Sequence, residues 1–177
     1  MVIWIAGPSG AGKTTIGKAL YERLKPQSQG IFLMDGDEFR MAMGNDLGYS
    51  SEERRQNGLR LIRLIQLLES QDITVVCCAA TIHSDVQDFG FANLRSYYQV
   101  YIDVSFETLH KRDVKDIYRR ALEGELSDVV GMDIQLEVPR TPHLTINNDE
   151  YRESFDDVIN EITDYVGSDD EASDSKP

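Results

Sequence analysis

The chain has little of what marks a secreted or membrane protein. Only two of its 177 residues are cysteine, and these, Cys77 and Cys78, are neighbours in an apolar run. One strand would point them to opposite faces, so they read as small buried hydrophobes rather than a disulfide or a metal pair. Long apolar runs are missing too: MVIWIAG, LIRLIQLL and ITVVCCAA are well short of a membrane span. The N-terminus shows no basic stretch leading into a secretory apolar core. The expectation is a soluble, cytoplasmic protein with no membrane partner.

Positive charge is also scarce, with 18 Lys and Arg against 31 Asp and Glu and a net charge of −13. A uniformly acidic surface repels phosphates, which argues against a nucleic acid polymer as partner. The basic residues are instead concentrated in ERRQNGLRLIR and HKRDVKDIYRR. Part of the acidic excess lies in residues 167–177, GSDDEASDSKP, a polar stretch without apolar anchors that we expect to be a disordered tail. Residues 1–166 then form a single domain, because a chain of this length with 41% hydrophobic residues supports one core and is too short for two. No internal repeat is visible.

Short apolar runs alternate with helical patterns. VIWIAG, GIFLMDGD, ITVVCCAAT, QVYIDVS and HLTINN read as strands, and ITVVCCAAT, apolar throughout, as one buried on both faces. TTIGKALYERL, SSEERRQNGLRLIRLIQLLESQ and DEYRESFDDVINEITDYV read as helices; so does FETLHKRDVKDIYRRALEG, with a break expected near Asp113. Ser50 or Ser51 can cap the second, with Glu53 near the third helical position. LSDVVGMDIQLEVPRTP reads as a loop able to cover a site. The fold class is α/β, a layered fold with a mainly parallel sheet.

Gly7, Gly10, Gly12, Lys13 and Thr14 complete the pattern G-x-x-x-x-G-K-[ST] in GPSGAGKT, between the first strand and the first helix. Glycines let backbone N–H groups turn inward around phosphate oxygens, and the helix N-terminus adds a positive dipole. Lys13 reaches the terminal phosphates and Thr14 offers a hydroxyl to magnesium. Gly7, Ser9, Gly10, Ala11, Gly12, Lys13, Thr14 and Thr15 are therefore the candidate ATP-binding residues. What is missing narrows the class. No N-K-x-D pattern for reading guanine occurs, and ITVVCCAAT lacks the acidic end of an ordinary motor ATPase strand. Asp35 and Asp37 stand instead at the end of the second strand, facing the crevice where open α/β sheets bind ligands. There a carboxylate can accept a hydroxyl proton, orient the hydroxyl, or hold a magnesium-bound water. His110 and His143 have no partners at metal spacing.

VIWIAGPSGAGKTT, MDGDEFR, DLGYSSEERRQN, YIDVSFETLHKRDVKDIYRRALEGE, VVGMDIQLEVP and HLTINN together resemble the adenylylsulfate kinase family of P-loop kinases, over nearly the whole chain before the tail. The resemblance implies an ATP- and magnesium-dependent phosphotransferase with an alcohol group as acceptor, acting on the ribose 3'-hydroxyl of adenosine 5'-phosphosulfate. It makes Asp35 the base or orienter and, with Thr14, a metal ligand; Asp37 is its partner. It assigns Arg40, Arg54 and Asn57 to the acceptor's phosphosulfate and ribose, and Tyr49 and Val129 to its base. It further implies a basic lid in RDVKDIYRRA, with Arg112 on ATP and Lys115, Arg119 and Arg120 neutralising phosphate charge. A homodimer is expected on the same ground.

Three departures bear on the acceptor. The family's I-S-P-Y-R after the third strand is replaced by TIHSDVQDFGFANLR, with no arginine before Arg95. One of the two aromatics that clamp adenine is Val129, and the lid's proline and glycine are Val114 and Asp116. Two alternatives stay open: a kinase of a cytidine diphosphate derivative such as cytidine diphosphoramidate, with His83 at a base edge or phosphoramidate, and a nucleotide-binding regulator that has lost catalysis.

Overall fold

All five predicted strands form, in the predicted order. In the computed structural model, which describes residues 1–80 and 83–174, they are β1 (Val2–Ala6), β2 (Ile31–Asp35), β3 (Thr74–Cys78), β4 (Tyr97–Asp103) and β5 (Leu144–Asn147). They make one sheet in the order β2-β3-β1-β4-β5, with every neighbouring pair parallel. Parallel pairing needs a crossover between successive strands, and helices supply it on both faces. Every residue of β1 is buried, as the continuous apolar run VIWIA requires of a strand covered on two sides. Cys77 and Cys78 point to opposite faces, each in a different core cluster. Burial raises both thiols, Cys78 to about 12, so neither is a thiolate at neutral pH.

Helix α1 (Lys13–Leu24) leaves the phosphate loop and packs Ile16 and Leu20 into one core. Its Gly17 lies so close to β3 that a Cβ there would meet the Cys78 sulfur at 2.1 Å. Helix α3 (Ser51–Glu69) buries Leu61, Ile62 and Ile65 against the other face. Ser50 is its N-cap, and Glu53 closes the reciprocal capping box.

Two helices were not legible beforehand: α2 (Gly36–Ala42) directly after Asp35, and α4 (Ser84–Asn93) after β3. The break at Asp113 is present, separating α5 (Phe106–Arg112) from α6 (Ile117–Leu122). Asp113 takes a positive φ of 28°, and its carboxylate accepts from the N–H groups of Tyr118 and Arg119. The last helix, α7 (Asp156–Asp174), begins later than its apolar stripe suggests and continues past Val166 to Asp174. Helical geometry thus runs into the segment expected to be an acidic tail; Val158, Ile159, Ile162 and Val166 carry the helix's packing, with Phe155 against the same core just before its start. No helix among the described residues is long and apolar enough to cross a membrane.

Candidate active site

At the carboxyl ends of β1, β2 and β3 the chain forms a cleft of about 570 Å³. Its donor side is the phosphate loop. Gly10 and Gly12 take φ values of 79° and 95°, where a side chain would strain the backbone. A Cβ on Gly12 would also meet Asn148 Nδ2 at 2.9 Å. That amide, buried at the end of β5, donates to the Ala11 carbonyl and fixes the loop. Lys13 Nζ donates to the Pro8 carbonyl at 2.7 Å, which folds the ammonium back over the loop.

Asp35 joins the two sides of the cleft. Its Oδ1 accepts from the Asp37 N–H at 2.9 Å and caps α2, while its Oδ2 accepts from the Thr14 hydroxyl at 2.7 Å. Thr14 and Asp35 are hard oxygen donors, the kind magnesium takes. The ion needs only one or two from protein when substrate phosphates supply others. The residues therefore fit magnesium, although the described residues contain no cluster of three or more His, Cys, Asp or Glu that could hold a metal on its own.

Asp37, Arg40, Tyr49, Arg54, Asn57 and Val129 all line the same cleft, so the structure brings together every residue assigned to the acceptor. Arg40, though only 8% exposed, donates to the carbonyls of Leu47 and Gly48. Arg54 donates to the carbonyls of Tyr49 and Asp128, both at 2.7 Å. The Tyr49 ring has the Arg40 guanidinium 4.7 Å and the Arg54 guanidinium 5.2 Å from its centroid. Desolvation, and then the neighbouring Arg40, lower the Arg54 pKa; an anion placed between the two guanidinium groups would offset their repulsion. Val129 is buried, and its N–H donates to Asp133.

The lid is tied to the donor side. The Tyr118 hydroxyl donates to the Ser9 carbonyl at 2.9 Å. Arg112 reaches the carbonyls of Asn148, at 2.7 Å, and Gly10, at 3.5 Å. Of the lid cations, Arg120 lines the cleft, whereas Arg119 is exposed and pairs with Asp116 and Glu123. The Lys115 side chain lies outside the described residues. Tyr118 and Asn148 were not singled out in the sequence: Tyr118 resembles any core aromatic of α6, and nothing in HLTINN marks the last Asn as a brace for the loop.

A family model described as "Adenylylsulphate kinase" matches residues 1–147. The chain is 35% identical over 147 residues to the cytidine diphosphoramidate kinase of Campylobacter jejuni, covering 83% of this chain and 85% of that protein. It is 32% identical over 166 residues to the adenylyl-sulfate kinase of Deinococcus deserti, covering 94% and 91%. The Mycobacterium tuberculosis APS kinase, solved in complex with AMPPNP and APS, superposes with a TM-score of 0.83 at 25% identity, over 94% of this chain and 96% of that one. Motif, sheet order and relatives agree: the chain is a P-loop phosphotransferase and belongs to the adenylylsulfate kinase family.

Proposed function

We propose that the chain transfers the γ-phosphoryl group of ATP to the ribose 3'-hydroxyl of a nucleotide acceptor. One observation carries the reading: Asp35 bridges from the Thr14 hydroxyl to the N-terminus of α2, in the same cleft as the acceptor-side arginines. Loop N–H groups from Ser9 to Thr15 and Lys13 would bind the ATP phosphates. Arg112, beside Gly10 and the end of β5, would lie along the ATP nucleotide, and Arg120 would add charge from the lid. Lys115 is assigned by resemblance alone.

Thr14 and Asp35 are the residues that would hold magnesium, which when bound offsets charge on the β- and γ-phosphates. Arg40, Arg54, Asn57 and Asp37 would position the acceptor. As its hydroxyl oxygen attacks phosphorus, Asp35 Oδ2 takes the hydroxyl proton, and ADP leaves with the electrons of the broken P–O bond. Water is kept out by the lid and by the 123–143 loop, whose Leu126, Ser127, Asp128, Val129 and Val130 border the cleft.

Val129 favours a second reading of the acceptor, a cytidine diphosphate derivative in place of adenylylsulfate. An aliphatic side chain where the family has its second aromatic forgoes about 1 kcal/mol of aromatic stacking, a loss that matters more for a purine than for the smaller cytosine. The Campylobacter relative is named for such an activity. The test is product structure: incubation with ATP, magnesium and each nucleotide, followed by phosphorus NMR of the purified product. A phosphomonoester on the ribose 3'-position supports the proposal, and one elsewhere on the acceptor removes it.

A further inference from the structure

The acceptor end of the cleft has a wall that Arg40 and Arg54 do not reach in sequence, formed by Ala79, Ala80, His83 and Val86 around the start of α4. No cation comes from this wall among the described residues that line the cleft. Arg95, the first arginine after β3, is turned to the opposite end of the sheet, where it pairs with Asp72 and donates to the Glu69 carbonyl. Arg55, which approaches α4 from α3, is bound to Asp85 at 2.6 Å and to Glu52 at 3.1 Å. An all-oxygen anion pressed against this wall would find no positive partner on it.

The wall carries an imidazole instead. His83 Nδ1 lies 3.2 Å from Glu137 Oε1, and the next fastening on the same loop is the Arg140 N–H, which donates to Gln87 Oε1. The 123–143 loop is thus laid along α4 at two points. With Glu137 accepting from Nδ1–H, the neutral ring has its lone pair on Nε2, so its remaining polar atom is an acceptor.

We propose that His83, oriented by Glu137, determines acceptor specificity by accepting a hydrogen bond from an N–H group of the acceptor nucleotide. The site then selects a nucleotide bearing an N–H donor at this position, either a terminal phosphoramidate or an exocyclic amine of the base, over one presenting only anionic oxygens. The inference rests on the kinase reading above and deepens it. Glu137 is a positioning residue, since it acts through the ring it holds.

Two matched pairs of acceptors test it in steady-state transfer at about pH 8.5, above the ordinary imidazole range. Cytidine diphosphoramidate against cytidine diphosphate isolates the terminal N–H. Cytidine against uridine forms of the same diphosphate isolates the base amine. Wild type is expected to prefer the N–H member of one pair by roughly tenfold or more in kcat/KM. His83→Ala should bring that ratio to near one, with KM for ATP within about twofold. Glu137→Gln, which keeps the loop's size, should lower the same ratio several-fold, and provides the reading if His83→Ala does not fold. Equal rates within both pairs for wild type, or an unchanged ratio in an active His83→Ala or Glu137→Gln, overturn the inference. Transfer to uridine diphosphate, which has neither a phosphoramidate nor an exocyclic amine, at a rate equal to or above that to cytidine diphosphoramidate would overturn it while leaving the kinase reading intact.

Discussion

Replacing Asp35 by Asn removes one charge and almost no volume, and the structure indicates what each carboxylate oxygen would lose. Oδ1 caps α2 through the Asp37 N–H at 2.9 Å, and the Asn carbonyl oxygen can keep that bond, since Asn and Asp are equivalent N-caps. Oδ2 receives the Thr14 hydroxyl at 2.7 Å; an amide nitrogen there donates to the hydroxyl instead, reversing the bond without breaking the contact. The stability change should therefore stay within about 1 kcal/mol, which for a chain of this size is a Tm shift of roughly 2–4 °C. Turnover should behave otherwise. The amide cannot accept a proton, and positioned general bases contribute about 100- to 10,000-fold, or roughly 3–5 kcal/mol of barrier. ATP affinity, measured calorimetrically without acceptor, should change by less than about fivefold, while kcat falls at saturating acceptor. A folded Asp35→Asn enzyme with kcat within about threefold of wild type would refute the assignment of the proton to Asp35.

Lys13→Ala should cut kcat/KM for ATP by at least about 100-fold while the folded structure persists, since the ammonium, which donates to the Pro8 carbonyl, sits over the phosphate loop and not in the core; undiminished transfer would remove the phosphate-loop assignment. Val129→Phe should lower KM for an adenine acceptor about fivefold, the equivalent of roughly 1 kcal/mol of stacking, and leave a cytidine acceptor little changed; equal effects on both would contradict a base-contacting role. Ser50→Ala should reduce stability by about 1 kcal/mol in thermal or denaturant unfolding, because it removes the cap and one side of the capping box. Glu53 is held below its ordinary value of 4.5 by the Ser50 hydroxyl and the N–H groups of Gly48 and Ser50. Its contribution is present above that value and lost as pH falls through the lower folded value, so Glu53→Gln should flatten the fall in stability below about pH 5.

Strands were legible because each is a short run with one dominant property, and β1 and β3 are apolar enough to need cover on both faces. The helices that escaped notice lack such a signal. Helix α4 reads SDVQDFGFAN, with only Val86, Gln87 and Gly90 buried, and its interior glycine looks like a breaker. The glycine is required by packing: a Cβ at Gly90 would sit 2.6 Å from the Tyr97 ring, a contact between segments that no local pattern records. Helix α2 was hidden behind the chemistry of its own cap, because Asp35 reads as a catalytic carboxylate and is also an N-cap. The phosphate loop could be read outright, since its residues are consecutive and each has a reason. Of the acceptor wall, Arg40, Tyr49, Arg54 and Asn57 were found through spacing that resembles a family. The pairing of His83 with Glu137, far apart in sequence, depended on the path of the loop and could not be read. The start of α7 at Asp156 follows the same rule, because Asp149 is drawn off to the Ser105 N–H and hydroxyl, which hold its carboxyl at about 2.

The central claim is that this cleft moves phosphate from ATP to a nucleotide hydroxyl. Acceptor-dependent ADP formation tests it most directly: ADP is followed with ATP and magnesium alone, then after addition of adenylylsulfate or a cytidine diphosphate derivative. The account predicts a negligible rate without acceptor and ADP released one for one with a phosphorylated nucleotide once the right acceptor is present. ATP binding accompanied by no acceptor-dependent ADP from any of these nucleotides would contradict it, and would fit a regulator that kept the fold after losing the reaction.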